Sequence, residues 1–174
     1  KKIVVATNGF YQEGLIPQMD GRVLPVISNI IVTRKLNEDE MNAHNFKTFS
    51  PIANTKNLLY YYRKLPDNRI LFGTRGDLTG SDQSNLAMSK KMEKFLKNIF
   101  PKWSNVTIDY NWRGLIALSQ KLTPSIGKID NEEIYYGFGY NGVGVSAAPW
   151  TGKQLSKLVF SSNSKDIDIS KIFK

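Results

Sequence analysis

At 174 residues, 41% apolar and 11% aromatic, the chain can bury one ordinary core or two small ones, which excludes wholesale disorder. It has no cysteine and a single histidine, His44, so disulfides, thiol nucleophiles and multi-histidine metal centres are excluded, and no metal is expected. The net charge of +9 could attract polyanions, but its 24 Lys and Arg residues are not gathered into one tract, so no nucleic-acid partner is expected.

The first expected element is the strand Ile3–Ala6, a continuous apolar run of the kind found inside parallel sheets, closed by a turn at Thr7-Asn8-Gly9. Such a strand needs partners, and the chain offers few, so it is expected to be part of something longer. Residues 22–33 form a long extended segment in which Pro25 favours an edge or a bulge. Asn37 with Glu40 three residues later is a capping signal for a short helix. His44 lies in the polar stretch 42–45 and is expected to be exposed.

Leu58–Leu65 and Arg69–Thr74 read as two strands of a hairpin turned by Pro66-Asp67-Asn68. After Gly80-Ser81-Asp82, Met88, Met92, Phe95, Leu96 and Ile99 alternate with Lys90, Lys91, Lys94 and Lys97 at helical spacing, giving an amphipathic helix that Pro101 ends. Residues 106–118 read as a strand pair or one bent strand. Asp130-Asn131 turns the chain between Ile126–Ile129 and Ile134–Tyr136.

The sequence then reaches Gly137-Phe138-Gly139-Tyr140-Asn141-Gly142-Val143-Gly144-Val145, followed by a helix-compatible segment from Thr151 to Phe160. A strand, a glycine-rich turn and a helix in that order bring backbone N–H groups close to an anionic ligand. Gly137, Gly139 and Gly142 spell the G-x-G-x-x-G dinucleotide fingerprint, yet the following βαβ unit is missing. Asp166 and Asp168 have the offset of a ribose carboxylate but no convincing strand before them. A tight turn, a pyrophosphate loop and a ligand-facing loop of another kind all remain open. The element order gives an α+β fold: a mostly antiparallel or mixed sheet with helices on one side, flanked by pieces of a different layer.

Several ordered blocks carry a family likeness. They are Val4–Phe10, residues 22–33, the hairpin Tyr61–Arg75, Trp112-Arg113-Gly114, Thr123–Gly127 and the glycine loop. In this order and spacing the chain resembles the C-terminal half of the FAD-dependent oxidoreductases of the D-amino-acid oxidase type. Within that family it looks most like the bacterial branch similar to gamma-glutamylputrescine oxidoreductase. The resemblance implies that residues 1–9 close an FAD-binding domain, 10–118 form the substrate domain, and 119–174 return with a flavin-facing glycine loop and a C-terminal helix. The N-terminal FAD-binding half would then be a missing partner.

The likeness further implies FAD as cofactor in the full-length protein, with Asn8, Gly9, Gly139, Tyr140, Asn141, Gly142, Val143, Gly144 and Val145 as its contacts here. Amides at the helix start would meet the negative charge of the reduced ring. Many relatives have a polar residue where this chain has Val143, and the branch known as monomeric sarcosine oxidase has a lysine near Ser146. Substrate class and oxygen reactivity are therefore left open.

The implied reaction is oxidation of a C–N bond in an amine or amino acid by hydride transfer, which needs positioning more than a strong acid or base. No catalytic residue is assigned. Arg63, Arg75 and Arg113 could fork a substrate carboxylate or be surface arginines. Tyr61, on one face with Arg63, could line a substrate pocket or belong to the sheet surface. Trp112 could be a substrate wall or a core anchor. A rival reading is a non-catalytic binding or assembly module that keeps the fold without flavin. No apolar run approaches the roughly 18 residues of a membrane span and no signal-peptide pattern is present, so a soluble, cytoplasmic protein is expected, free or as a homo-oligomer.

Overall fold

The computed structural model describes residues 1–56, 59–77 and 79–160. Leu58, expected in the hairpin, and Asp166 and Asp168 lie outside the described residues. In chain order the elements are β1 (Ile3–Val5), β2 (Val23–Thr33), α1 (Glu38–Ala43), β3 (Ile52–Ala53), β4 (Tyr60–Lys64) and β5 (Ile70–Asp77). There follow α2 (Asp82–Ile99), β6 (Ile108–Ser119), β7 (Ser125–Lys128), β8 (Ile134–Phe138) and α3 (Gly144–Phe160). The fold is α+β, and it divides into two compact units, one of residues 1–26 with 115–174 and one of residues 27–114.

The second unit is built on a five-stranded sheet in the order β3-β4-β5-β2-β6. The β4–β5 hairpin forms where Pro66, Asp67 and Asn68 predict it. Asn68 takes the left-handed conformation at φ 65°, and Leu65 and Arg69 close the loop with a 2.8 Å N–H···O bond. β4 and β5 then pair in register from Lys64↔Ile70 to Tyr60↔Thr74. β5 runs on to Asp77 because Gly76, at φ 129°, absorbs an extra residue where the register with β2 shifts.

Helix α2 covers one face of this sheet. Ser81 caps it through an oxygen that accepts from the Ser84 N–H, and its apolar stripe delivers Met92 and Leu96 to a core with Ile31, Ile70 and Phe72. Alternation along β4 sends Tyr60 and Tyr62 into the same core. Tyr60 stacks on Phe95 at 3.9 Å between ring centroids, and Tyr62 stacks on Phe72 at 6.0 Å.

The capping signal ahead of α1 is a complete capping box. The Asn37 side chain accepts from the Glu40 N–H at 2.8 Å, and Glu40 accepts from the Asn37 N–H at 3.0 Å. Arg34 grips the same carboxylate with both terminal nitrogens, at 2.8 and 2.6 Å. His44 corrects its expectation. It is half-buried, edge-on to Phe100 and Trp103, and its Nε2 accepts the Lys102 N–H at 3.1 Å. The aromatic pair comes from a turn 58 residues away, which a local reading of residues 42–45 does not contain. Burial, helped by the charge on Lys102, lowers the His44 pKa and keeps the ring neutral.

The first unit carries a three-stranded sheet, β1-β8-β7, in which β1 runs parallel and β7 antiparallel to β8. Tyr135 and Ile126 pack with Leu155 and Val159 of α3 on one face, while Val5 and Phe138 pack with Ile16 and Met19 on the other. Helix α3 starts at Gly144, not at Thr151 as expected, and passes through Pro149. Proline removes the bond to the Val145 carbonyl, but Val145 is 99% exposed, so water can replace the missing donor.

The Arg34 pair holds the Glu40 carboxyl down at about 2 against an ordinary 4.5. A depressed carboxylate stabilises the fold above its unfolded value and loses that contribution as pH falls through its folded value. Denaturant melts should therefore show the wild-type advantage over Glu40→Gln as constant above pH 4.5 and vanishing as pH falls to about 2.

Candidate functional site

In the first unit, the glycine loop between β8 and α3 is shaped by left-handed backbone. Asn141 and Gly142 take φ of 55° and 87°, and the Val143 N–H reaches back to the Tyr140 carbonyl at 2.9 Å. Two successive positive φ values inside one such bond define a type I′ turn, the one Asn-Gly favours. Its signature, Asn-Gly, stands at positions 141 and 142 and is a local one.

The turn is held from three sides. Its Asn141 N–H donates to the Ala117 carbonyl at 2.9 Å, and the Asn141 Oδ1 accepts from the Ser119 N–H at 2.9 Å. Gly139, at φ 77°, lies where a Cβ would come within 2.9 Å of the Ser119 Cβ. Asn8, also left-handed at φ 50°, accepts the Gly139 N–H through its Oδ1 at 3.0 Å, and Gly9 packs against Leu115 of β6. Asn8, Gly9, Gly139 and Asn141 thus meet at one end of β8 and frame the loop. Ser119 was missed by sequence reasoning, because its role depends on a contact 22 residues away.

Beyond the turn the chain enters α3. The N–H of Val143 is consumed by Tyr140, so the groups helix geometry leaves without an intrahelical acceptor are those of Gly144 and Val145. They carry the positive end of a 17-residue helix dipole. Tyr140 packs beside Gly144, and burial raises its pKa. Its phenol is therefore neutral at physiological pH. Among the literal fingerprint glycines, Gly137 faces α3, where a Cβ would sit 3.0 Å from Thr151. It serves close packing of strand on helix.

In the second unit, Tyr61, Arg63 and Arg75 share the sheet face that α2 does not cover. The register pairs Tyr61 with Gly73, Arg63 with Leu71 and Ser28 with Arg75, all opposite in sense to the core residues Phe72 and Thr74. The Tyr61 ring lies on Gly73, where a Cβ would fall 2.2 Å from its Cζ, and its hydroxyl is 3.2 Å from the Ser28 Oγ. Trp112 stands apart on β6, two strands from β5 in the hydrogen-bonding order, and is 47% exposed. Arg113 is engaged at the start of α2, donating to the Ser81 carbonyl at 2.7 Å and pairing with Asp82 at 3.0 Å.

A strand and glycine-turn framework that presents helix N–H groups, together with an open antiparallel sheet, matches one class of protein. The family model described as FAD dependent oxidoreductase, DAO, matches residues 1–158, so the chain belongs to the DAO family of FAD-dependent oxidoreductases. It is 31% identical over 159 residues to gamma-glutamylputrescine oxidoreductase of Escherichia coli (strain K12), with 91% of this chain and 36% of that protein covered. To the probable oxidoreductase OrdL of Haemophilus influenzae it is 30% identical, covering 94% of this chain and 37% of that one. The chain thus spans a little over a third of the length of these relatives.

Among solved structures, fructosyl peptide oxidase from E. terrenum superposes with a TM-score of 0.67 at 11% identity, covering 95% of this chain and 43% of that one. Glycine oxidase from Bacillus cereus gives 0.66 at 17% identity, covering 91% and 42%. These likenesses establish the fold.

The two loop glycines differ in what they tolerate. Gly142 is left-handed, whereas a Cβ on Gly144 would meet Tyr140 at an ordinary 3.5 Å. Gly142→Ala should cost about 1–2 kcal/mol in thermal or denaturant unfolding. Gly144→Ala should cost nothing measurable there, which separates turn geometry from any steric role at the helix start.

Proposed function

We propose that this chain supplies the substrate-facing sheet and the flavin-ring loop of an FAD-dependent oxidoreductase that oxidises the C–N bond of an amine or amino acid. The observation that carries the reading is the fixed glycine turn that offers helix N–H groups, in a chain that belongs to a FAD-dependent family. The residues present fit such a group. The turn has no Cβ at Gly139, Gly142 or Gly144, and the N–H groups of Gly144 and Val145 suit the negative edge of a reduced ring.

FAD, when bound, supplies the hydride acceptor. The protein's part is to orient and to exclude. Asn8 and Asn141 fix the loop, so its amides need no rearrangement when charge develops. On the open sheet face, the Tyr61 ring seated on Gly73 offers a flat wall, and Arg63 and Arg75 flank it with guanidinium forks for a substrate carboxylate. The relatives' names support the substrate class: gamma-glutamylputrescine, iminodiacetate and glycine are all amines or amino acids. On this reading residues 1–9 belong to the FAD-binding domain, 10–118 to the substrate domain and 119–174 to the returning segment.

In the full-length protein, Arg63→Leu or Arg75→Leu should raise KM for carboxylate-bearing amines by about 10-fold or more, the scale of a charge-assisted hydrogen bond. Amines without a carboxylate should be unaffected. Equal loss for both substrate kinds would remove the arginines from substrate recognition. Absence of flavin absorbance in freshly purified full-length protein would remove the flavin reading altogether. This chain by itself should not retain FAD tightly, because the turn and helix start offer only ring contacts. A flavin titration giving a dissociation constant below about 1 μM, worth roughly 8 kcal/mol, would contradict that.

A further inference from the structure

A cavity of about 540 Å³ opens within the unit that contains the glycine loop, and no carboxylate lines it. Its polar wall carries two cations, Arg22 and Lys121, and the hydroxyls of Thr123, Ser125 and Tyr136. Pro124 and Ile126 add apolar surface. We propose that this cavity binds a small organic anion through a phosphate or carboxylate group.

The wall is set up for an acceptor-rich ligand. Tyr136 is fixed by its seat on Gly127, where a Cβ would lie 2.4 Å from the phenol oxygen. Arg22 leans over the Tyr136 ring, 5.9 Å from its centroid, and donates one N–H to the phenol oxygen at 3.3 Å. A guanidinium has five N–H donors in a planar fork, so this bond leaves most of them for another acceptor. Lys121 and the hydroxyls of Thr123 and Ser125 make no hydrogen bond among the described residues. The two cations on the wall attract an oxyanion, an attraction partly offset by the Glu13 carboxylate that accepts the N–H of the lining residue Gly21 at 3.1 and 3.2 Å and strengthened by the concave shape. The volume falls in the range of small-molecule pockets, about 300–1,000 Å³, so the ligand is larger than a bare inorganic ion. Ser119, on the same wall, also donates its N–H to Asn141 of the glycine loop, which joins the cavity to that loop through one residue.

Nothing in this inference depends on flavin chemistry, and the test keeps the two apart. Isothermal titration of the full-length protein with inorganic pyrophosphate and with citrate, at constant ionic strength, should give saturable one-to-one binding for at least one of them. The preferred probe distinguishes a phosphate from a carboxylate ligand. Arg22→Ala and Lys121→Ala should each weaken binding at least tenfold with the melting temperature unchanged, while Lys90→Ala on α2 should leave it intact. Lys121 is exposed, so its variant keeps the test valid should the Arg22 variant fold poorly. Binding should also persist at saturating FAD. Failure of both probes to saturate, equal weakening by Lys90→Ala, or displacement of the anion by FAD would each overturn the proposal.

Discussion

The left-handed pair Asn141-Gly142 is the constraint on which the loop end of the first unit depends. Two consecutive positive φ values reverse the chain after β8 within one hydrogen bond. That reversal lets α3 fall back onto Tyr135, with Leu155 and Val159 against the sheet. An Asn at the first position does more than tolerate the conformation. Its side chain and backbone tie the turn to Ala117 and Ser119 at the end of β6, so the conformational cost is met by tertiary bonds. Without that anchoring, the helix N–H groups would not be aimed at a fixed point.

A second device appears once in each unit. Tyr61 lies across Gly73, and Tyr136 lies across Gly127, each on its cross-strand partner. The missing Cβ lets the ring lie flat on the backbone, which removes rotamer freedom from the tyrosine and gives a rigid apolar wall with a polar tip. Each tip meets a polar neighbour, Ser28 for Tyr61 and Arg22 for Tyr136. In Tyr60-Tyr61-Tyr62 the middle residue is therefore the one turned away from the core, and β alternation alone makes it so.

β1 lies at the edge of its three-stranded sheet, paired in parallel with β8. Its residues Ile3 and Val4 are 57% and 48% exposed although their pattern is that of a buried parallel strand. Parallel strands are stable when covered on both faces and paired on both edges, and β1 pairs through β8.

What the sequence by itself determined was whatever a few neighbouring residues decide. The hairpin turn at Pro66-Asp67-Asn68, the Asn37–Glu40 capping box and the stripe of α2 all rest on backbone preferences and spacing within one or two turns. The family likeness was legible too, in the order and spacing of several short blocks along the chain. Tertiary structure alone decided the rest. Helix α3 extends past Pro149 because Val145, whose carbonyl loses its donor there, is exposed so that water can serve it. His44 is half-buried because Phe100 and Trp103 come to it from a distant turn. Arg113 binds the Ser81 carbonyl and Asp82 because the start of α2 comes to it from 31 residues away. Asn8 caps Gly139 across 131 residues of chain. Each of these is a contact between segments far apart in sequence, and no local propensity encodes which distant partner a side chain will meet.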